Sequence, residues 1–191
     1  MNNLALSFLI YSLIGVSQQI NAPAHQYLAR IEWSQIDQSL TGITANECIL
    51  VFPDGHFHME RRLQQLPTPS ATLQVYEADL SDEQLQQLKN SLDNYEIRNL
   101  PTFVPPSIPG PVNFRQAFQV RFPRNSHIDN IGYAAWKATS QSDPDAPARD
   151  ALYTSQQKSV AALQPLYKWF TDLDSQKLTP SNMGSTFCEM K

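Results

Sequence analysis

The chain has 191 residues, a formal net charge of −4, 41% hydrophobic residues and 10% aromatic residues. That is the content of a folded globular protein and excludes a disordered one. Mild acidity without a basic block argues against a phosphate-neutralising surface, and so against nucleic acid as a partner. Fourteen prolines against six glycines point to stiff, extended connections and away from phosphate-cradling glycine loops.

From Leu4 to Val16 the sequence is almost wholly apolar, and no Asp, Glu, Lys or Arg occurs before Arg30. Such a run falls short of the ~20 residues a membrane-spanning helix needs. It fits the h-region of a secretory signal peptide, and Ala22-x-Ala24 fits the small-residue cleavage pattern. Cleavage after Ala24 is expected, because cleavage after Ala22 would leave Pro23 first. Residues 1–24 therefore read as a signal peptide and 25–191 as a single exported domain, periplasmic or secreted. That domain is large enough for a real core and has no stable transmembrane segment once processed. The alternatives are a buried N-terminal helix or an uncleaved anchor.

The spacing of Trp33, Ile36 and Leu40 predicts a helix over Tyr27–Leu40, stopped by Thr41-Gly42. Cys48-Ile49-Leu50-Val51-Phe52 reads as a strand. Pro53-Asp54-Gly55 supplies the turn, and His56–Leu63 returns as a hairpin partner. A third strand follows from Thr72 to Ala78. Ser81-Asp82-Glu83-Gln84 is a capping box, with Leu85, Leu88 and Leu92 on one face of a helix over 82–93. Five prolines between Pro101 and Pro111 predict an extended connector crossing the sheet edge. Phe114–Phe122 alternates as a half-buried strand, and Ile128–Trp136 pairs back on it. Ser140–Asp150 reads as an exposed loop. The helical period returns from Ser155 through Val160, Leu163, Leu166, Tyr167, Phe170 and Leu173, with Pro165 expected to kink or restart it. The sum is an α+β domain, an antiparallel sheet of about four to five strands with helices packed on one face.

Cys48 and Cys188 are the chain's two cysteines. In an oxidising compartment they can form one bridge tying the C-terminal region to a core strand. A buried free thiol and a catalytic thiolate are the competing readings.

The sharpest candidate for chemistry is His56-Phe57-His58-Met59-Glu60. On a strand, positions i, i+2 and i+4 share a face, so two imidazoles and a carboxylate could hold zinc or ferrous iron. The plainer expectation is an amphipathic strand, with Phe57, Met59 and Leu63 inside and His56, His58, Glu60 and Arg62 in solvent. His127 and Asp129 form another i, i+2 pair that would join this cluster only if the two hairpins lay adjacent. Ser155-Gln156-Gln157-Lys158 has the Ser-x-x-Lys spacing of penicillin-recognising enzymes. Neither companion motif occurs, so Ser155 reads as a helix-start residue. Dinucleotide, P-loop, His-Glu-x-x-His and nucleophile-elbow motifs are absent.

The run Cys48–Arg62, followed by Val75-Tyr76-Glu77, the Leu80–Asp93 helix and Leu163-Gln164-Pro165-Leu166-Tyr167-Lys168-Trp169-Phe170, is similar to uncharacterised exported proteins of acidobacterial type. The resemblance spans roughly residues 45–190 and rests on short segments: a Cys-bearing strand, an Asp-Gly turn, a basic strand and a Ser-capped helix. It implies an exported compartment and this fold, and transfers no catalytic residue. Taken together, the expected function is a non-enzymatic binding or interaction module with no cofactor, its partner an unknown protein or envelope component. The alternative is a metal-dependent enzyme built on His56, His58 and Glu60.

Overall fold

A computed structural model describes residues 27–38, 42–68, 70–108, 112–138, 144–182 and 188. The expected signal peptide and its cleavage at Ala24 lie outside the described residues, as does the Thr41 stop. The described chain forms a six-stranded antiparallel sheet in the order β4-β3-β2-β1-β5-β6. Its strands are β1 (Ala29–Asp37), β2 (Ile43–Val51), β3 (His56–Gln65), β4 (Thr72–Asp79), β5 (Val112–Arg124) and β6 (His127–Ala138). Three helices accompany them, α1 (Asp82–Leu92), α2 (Tyr95–Arg98) and α3 (Ala146–Asp174). The α+β class stands, and the expected strand count of four to five is corrected to six.

The extra strand is β1, where a helix over Tyr27–Leu40 was expected. Trp33 and Ile36 do fit a helical face, but a two-residue period also runs through Ala29, Ile31 and Trp33. Ala29 and Ile31 are fully buried and Trp33 packs against the core. The segment lies between β2 and β5, and central pairing on both sides selects the shorter period.

The hairpin of β2 and β3 forms as its sequence predicts. Gly55 has φ +95 and its amide donates to the Phe52 carbonyl at 3.0 Å, a conformation glycine adopts without steric cost. In β6, a Cβ at Gly132 would sit 2.6 Å from the Phe118 carbonyl oxygen and 2.9 Å from the Phe103 ring. Glycine there lets the 101–108 segment close on the sheet. The Phe103 amide donates to Asn130 O at 2.8 Å, and Asn130 Nδ2 donates to Phe103 O at 3.0 Å. The described part of the proline-rich connector meets the sheet edge at β6 through Phe103 and Asn130.

Helix α1 begins at the Ser81 capping box, with Gln84 N donating to Ser81 Oγ at 3.2 Å and Ser81 N donating to Gln84 Oε1 at 2.9 Å. Helix α3 begins nine residues earlier than the Ser155 start expected from its period. Pro147 lies in its first turn, where a missing amide costs nothing. Ser155 is therefore inside the helix, its hydroxyl donating to Leu152 O at 2.6 Å. Pro165 also lies within α3, which is continuous from Ala146 to Asp174. Both Pro165 and Ala161 are exposed, so the carbonyl that loses its partner faces water.

The main core joins Leu88, Leu92, Leu163, Leu166, Phe170 and Leu173 of the helices to one face of the sheet, represented by Ile31, Ile49, Met59, Phe118 and Val120. Each such fully buried side chain contributes about 1.5–3 kcal/mol relative to exposure. The other face has a separate small cluster of Cys48, Leu50 and Cys188, with Tyr27 and Phe52 against it. No helix residue belongs to that cluster, so the second face carries its own, mostly polar, surface.

Candidate functional site on the second face of the sheet

Strand alternation puts His56, His58 and Glu60 of β3 on the second face, with Glu77 and Asp79 of neighbouring β4. His58 pairs with Glu77 and His56 with Asp79 in register. The side chains form a linear ladder. Asp79 Oδ1 lies 3.0 Å from His56 Nδ1, and Glu77 Oε2 lies 2.9 Å from His56 Nε2. The other Glu77 oxygen contacts His58 Nδ1, and Glu60 Oε1 lies 2.9 Å from His58 Nε2. Glu60 Oε1 in turn faces the Cys188 amide at 3.4 Å.

The expectation that this strand face meets solvent is corrected for its inner half. His58 and Glu60 are each 1% exposed, whereas His56 is 43% exposed and Arg62 is on the surface. At Glu60 the inner half meets Cys188, which is fully buried and bridged to Cys48, the cross-strand neighbour of Glu60. The expected disulfide is present, and neither the free-thiol nor the catalytic-thiolate reading applies. A bridge closing a loop of this length contributes ~5 kcal/mol on the chain-entropy account.

Both ring nitrogens of His56 and of His58 face carboxylate oxygens, so neither ring points a nitrogen at an open coordination position. Among the described residues no group of three or more His, Cys, Asp or Glu is arranged to hold a metal ion. His127 does not join the ladder. It lies on β6, separated from β3 by three strands, where it pairs with Asp129 at 2.7 Å. The His56 imidazole is raised above its ordinary value, first by its hydrogen bond to Asp79. Partial desolvation opposes the shift, and the Glu77 carboxylate adds to it.

Beside the ladder, the same face holds an open groove of about 380 Å³ centred on β1 and β2. Small side chains make its floor. Ser34 is paired with Ala117 on one side and with Asn46 on the other, and Asn46 is paired with Arg62. Arginines make its sides. Arg30 and Arg121 sit directly opposite each other on β1 and β5, and both reach one carboxylate, Glu32. Arg30 Nε donates to Glu32 Oε1 at 2.6 Å, and Arg121 Nη2 lies 3.6 Å from Glu32 Oε2. With its carboxamide oxygen turned toward Arg121, Gln119 accepts from Nε at 2.9 Å and Nη2 at 3.0 Å, holding the guanidinium in place. Arg62 lies on the far side of the floor and has no ion-pair partner among the described residues.

Glu47 also borders the groove, but its carboxylate accepts from Arg61 Nε at 2.8 Å, and Arg61 further contacts the Asp174 carboxylate. Burial pushes the Glu47 carboxyl up, and Arg61 partly offsets that. This triad fastens the C-terminal end of α3 to β2 and β3.

The groove residues were not singled out in the sequence, although their signal is present as polar i, i+2 positions on strands whose other side is apolar. No protein-family model matches the chain, and comparison with curated proteins finds no match.

Proposed function

We propose that this chain is an exported, non-enzymatic binding module that recognises an envelope component through the second face of its sheet. The observation that carries the reading is the groove of about 380 Å³ on that face, within the size range of small-ligand sites. At one end Arg30, Glu32 and Arg121 hold one another, which pre-forms that part of the recognition surface. Its lining supplies hydrogen-bond donors, two carboxylates each paired with an arginine and a hydroxyl, but no imidazole and no free thiol, so it is suited to holding a solute rather than transforming it. Export is supported by the Cys48–Cys188 bridge, by the apolar leader with its Ala24 cleavage pattern, and by the resemblance to exported proteins of acidobacterial type.

The test is retention. Immobilised protein is exposed to the small-solute fraction of an envelope extract, and retained molecules are identified by mass spectrometry. The wild type is expected to hold a solute that Ser34→Trp, with an unchanged circular dichroism spectrum, does not. Equal retention by both, or none by either, overturns the groove as the recognition surface. Elemental analysis tests the metal-dependent alternative on His56, His58 and Glu60. Zinc or iron is expected well below one per chain. Stoichiometric metal that disappears in a His56→Ala/His58→Ala double variant overturns the non-enzymatic reading.

A further inference from the structure

We infer that the groove takes an elongated solute carrying an oxyanion group at each end, one end held by Arg62 and the other by Arg121. The inference rests on the second face being the recognition surface, and it adds the chemical class of the ligand.

The first argument is electrostatic. Arg30 and Arg121 are directly opposite on adjacent strands, and like charges in that position destabilise a sheet. Glu32 is the one carboxylate between them, so the trio retains one positive charge. Arg30 is the better neutralised partner, at hydrogen-bond distance. Arg121 is at 3.6 Å from Glu32 and is 39% exposed on the groove side. Arg62 adds a second unneutralised cation. A chain with net charge −4 thus concentrates uncompensated positive charge in one depression. This arrangement does little for stability and is well suited to receive anions.

The second argument is geometric. Guanidinium matches carboxylate and phosphate by paired N–H donors. Arg121 is fixed by Gln119 and Glu32 and keeps its remaining terminal nitrogen without a partner among the described residues. Arg62 and Arg121 are three strand spacings apart across the sheet and about four residues apart along it. Their Cα atoms are therefore about 20 Å apart on ordinary strand dimensions. Side chains reaching inward shorten that span, but one small anion cannot serve both ends. On this face the path between them passes Asn46 and Cys48 of β2 and then Glu32 of β1, with Ser34 and Ala117 to one side, so the body of the solute meets amide and hydroxyl groups near Arg62 and the carboxylate already paired with Arg30 near Arg121.

Isothermal titration calorimetry on the full disulfide-bonded protein tests this. The probes are succinate, adipate, suberate and azelate, the matching α,ω-bisphosphates, and two single-ended controls, hexanoate and inorganic phosphate. Saturable binding is expected for dianions, with an optimum at one chain length and affinity at least ~10-fold above either single-ended control. Arg62→Gln and Arg121→Gln are each expected to lose ~10-fold, the loss of one charge-assisted contact. Arg98→Gln, on α2 and distant from the groove, should bind as wild type. The stronger of the two series identifies carboxylate or phosphate as the source. The proposal is overturned if no dianion exceeds the single-ended controls, or if both groove variants bind as wild type. Should the dianions fail while Ser34→Trp still abolishes retention from the extract, the ligand class is wrong and the binding surface stands.

Discussion

His56 and His58 are two residues apart on one strand face, yet they have different surroundings. His56 remains accessible, and its imidazole is raised mainly by the Asp79 hydrogen bond. A raised imidazole binds its proton more tightly folded than unfolded. Its stabilising contribution is therefore complete below the ordinary histidine value near 6.5 and fades as pH rises through the higher folded value. A nuclear magnetic resonance titration should place the His56 midpoint above 6.5, and Asp79→Asn should move it down. A midpoint unchanged in the variant would mean that Asp79 is not the cause. The alternation that aligns His56, His58 and Glu60 was readable from sequence because side-chain direction on a strand has period two. The burial of His58 and Glu60 was not readable, because it depends on long-range neighbours such as Glu77 of β4 and Cys188, the latter 140 residues along the chain from Cys48. The carboxylates facing both rings were equally hidden, since Glu77 and Asp79 reach β3 only through the pairing of β4.

Among the elements, those with local punctuation were legible. The Ser81 box, the Pro53-Asp54-Gly55 turn and the alternation of β5 each specify structure within a few residues, and each appears where expected. The exception is β1, whose apolar spacing fits both periods, and its strand state follows from neighbours on both sides. Helix α3 shows the converse, a breaker overridden by context. Pro165 leaves one amide out of the helical ladder, but α3 buries Leu163, Leu166 and Phe170 around it, and that packing keeps the helix continuous. Since Pro165 is exposed, Pro165→Ala should restore the backbone bond and relieve crowding at Ala161. Proline in an exposed helix interior costs up to ~3 kcal/mol, so the variant should gain on the order of 1–3 kcal/mol in urea denaturation. A loss of stability would show that the proline sets an angle on which the packing of α3 depends.

For the molecule as a whole, the disulfide organises the second face. It connects β2 to the C-terminal region, shields the ladder and borders the arginine groove. Under denaturing, non-reducing conditions neither Cys48 nor Cys188 should react with a thiol label. Cys188→Ser should lower stability by several kcal/mol, up to ~5 on the chain-entropy account, read as a shift in urea midpoint. It should also raise hydrogen exchange at β3 and β4. Labelling at both cysteines in the unreduced protein would remove the bridge from the account.

The two outer strands of the sheet are each met by irregular chain. Phe103 bonds to Asn130 on β6, while Pro180 bridges Tyr76 and the Ser181 amide donates to Val75 O at 2.7 Å on β4. An incoming peptide that tried to extend the sheet would find these main-chain positions already taken. Ladder-style addition, which reads backbone and is tolerant of sequence, is therefore hindered at these positions. Contact with side chains projecting from the broad surface is free of that hindrance, and there discrimination depends on charge and shape.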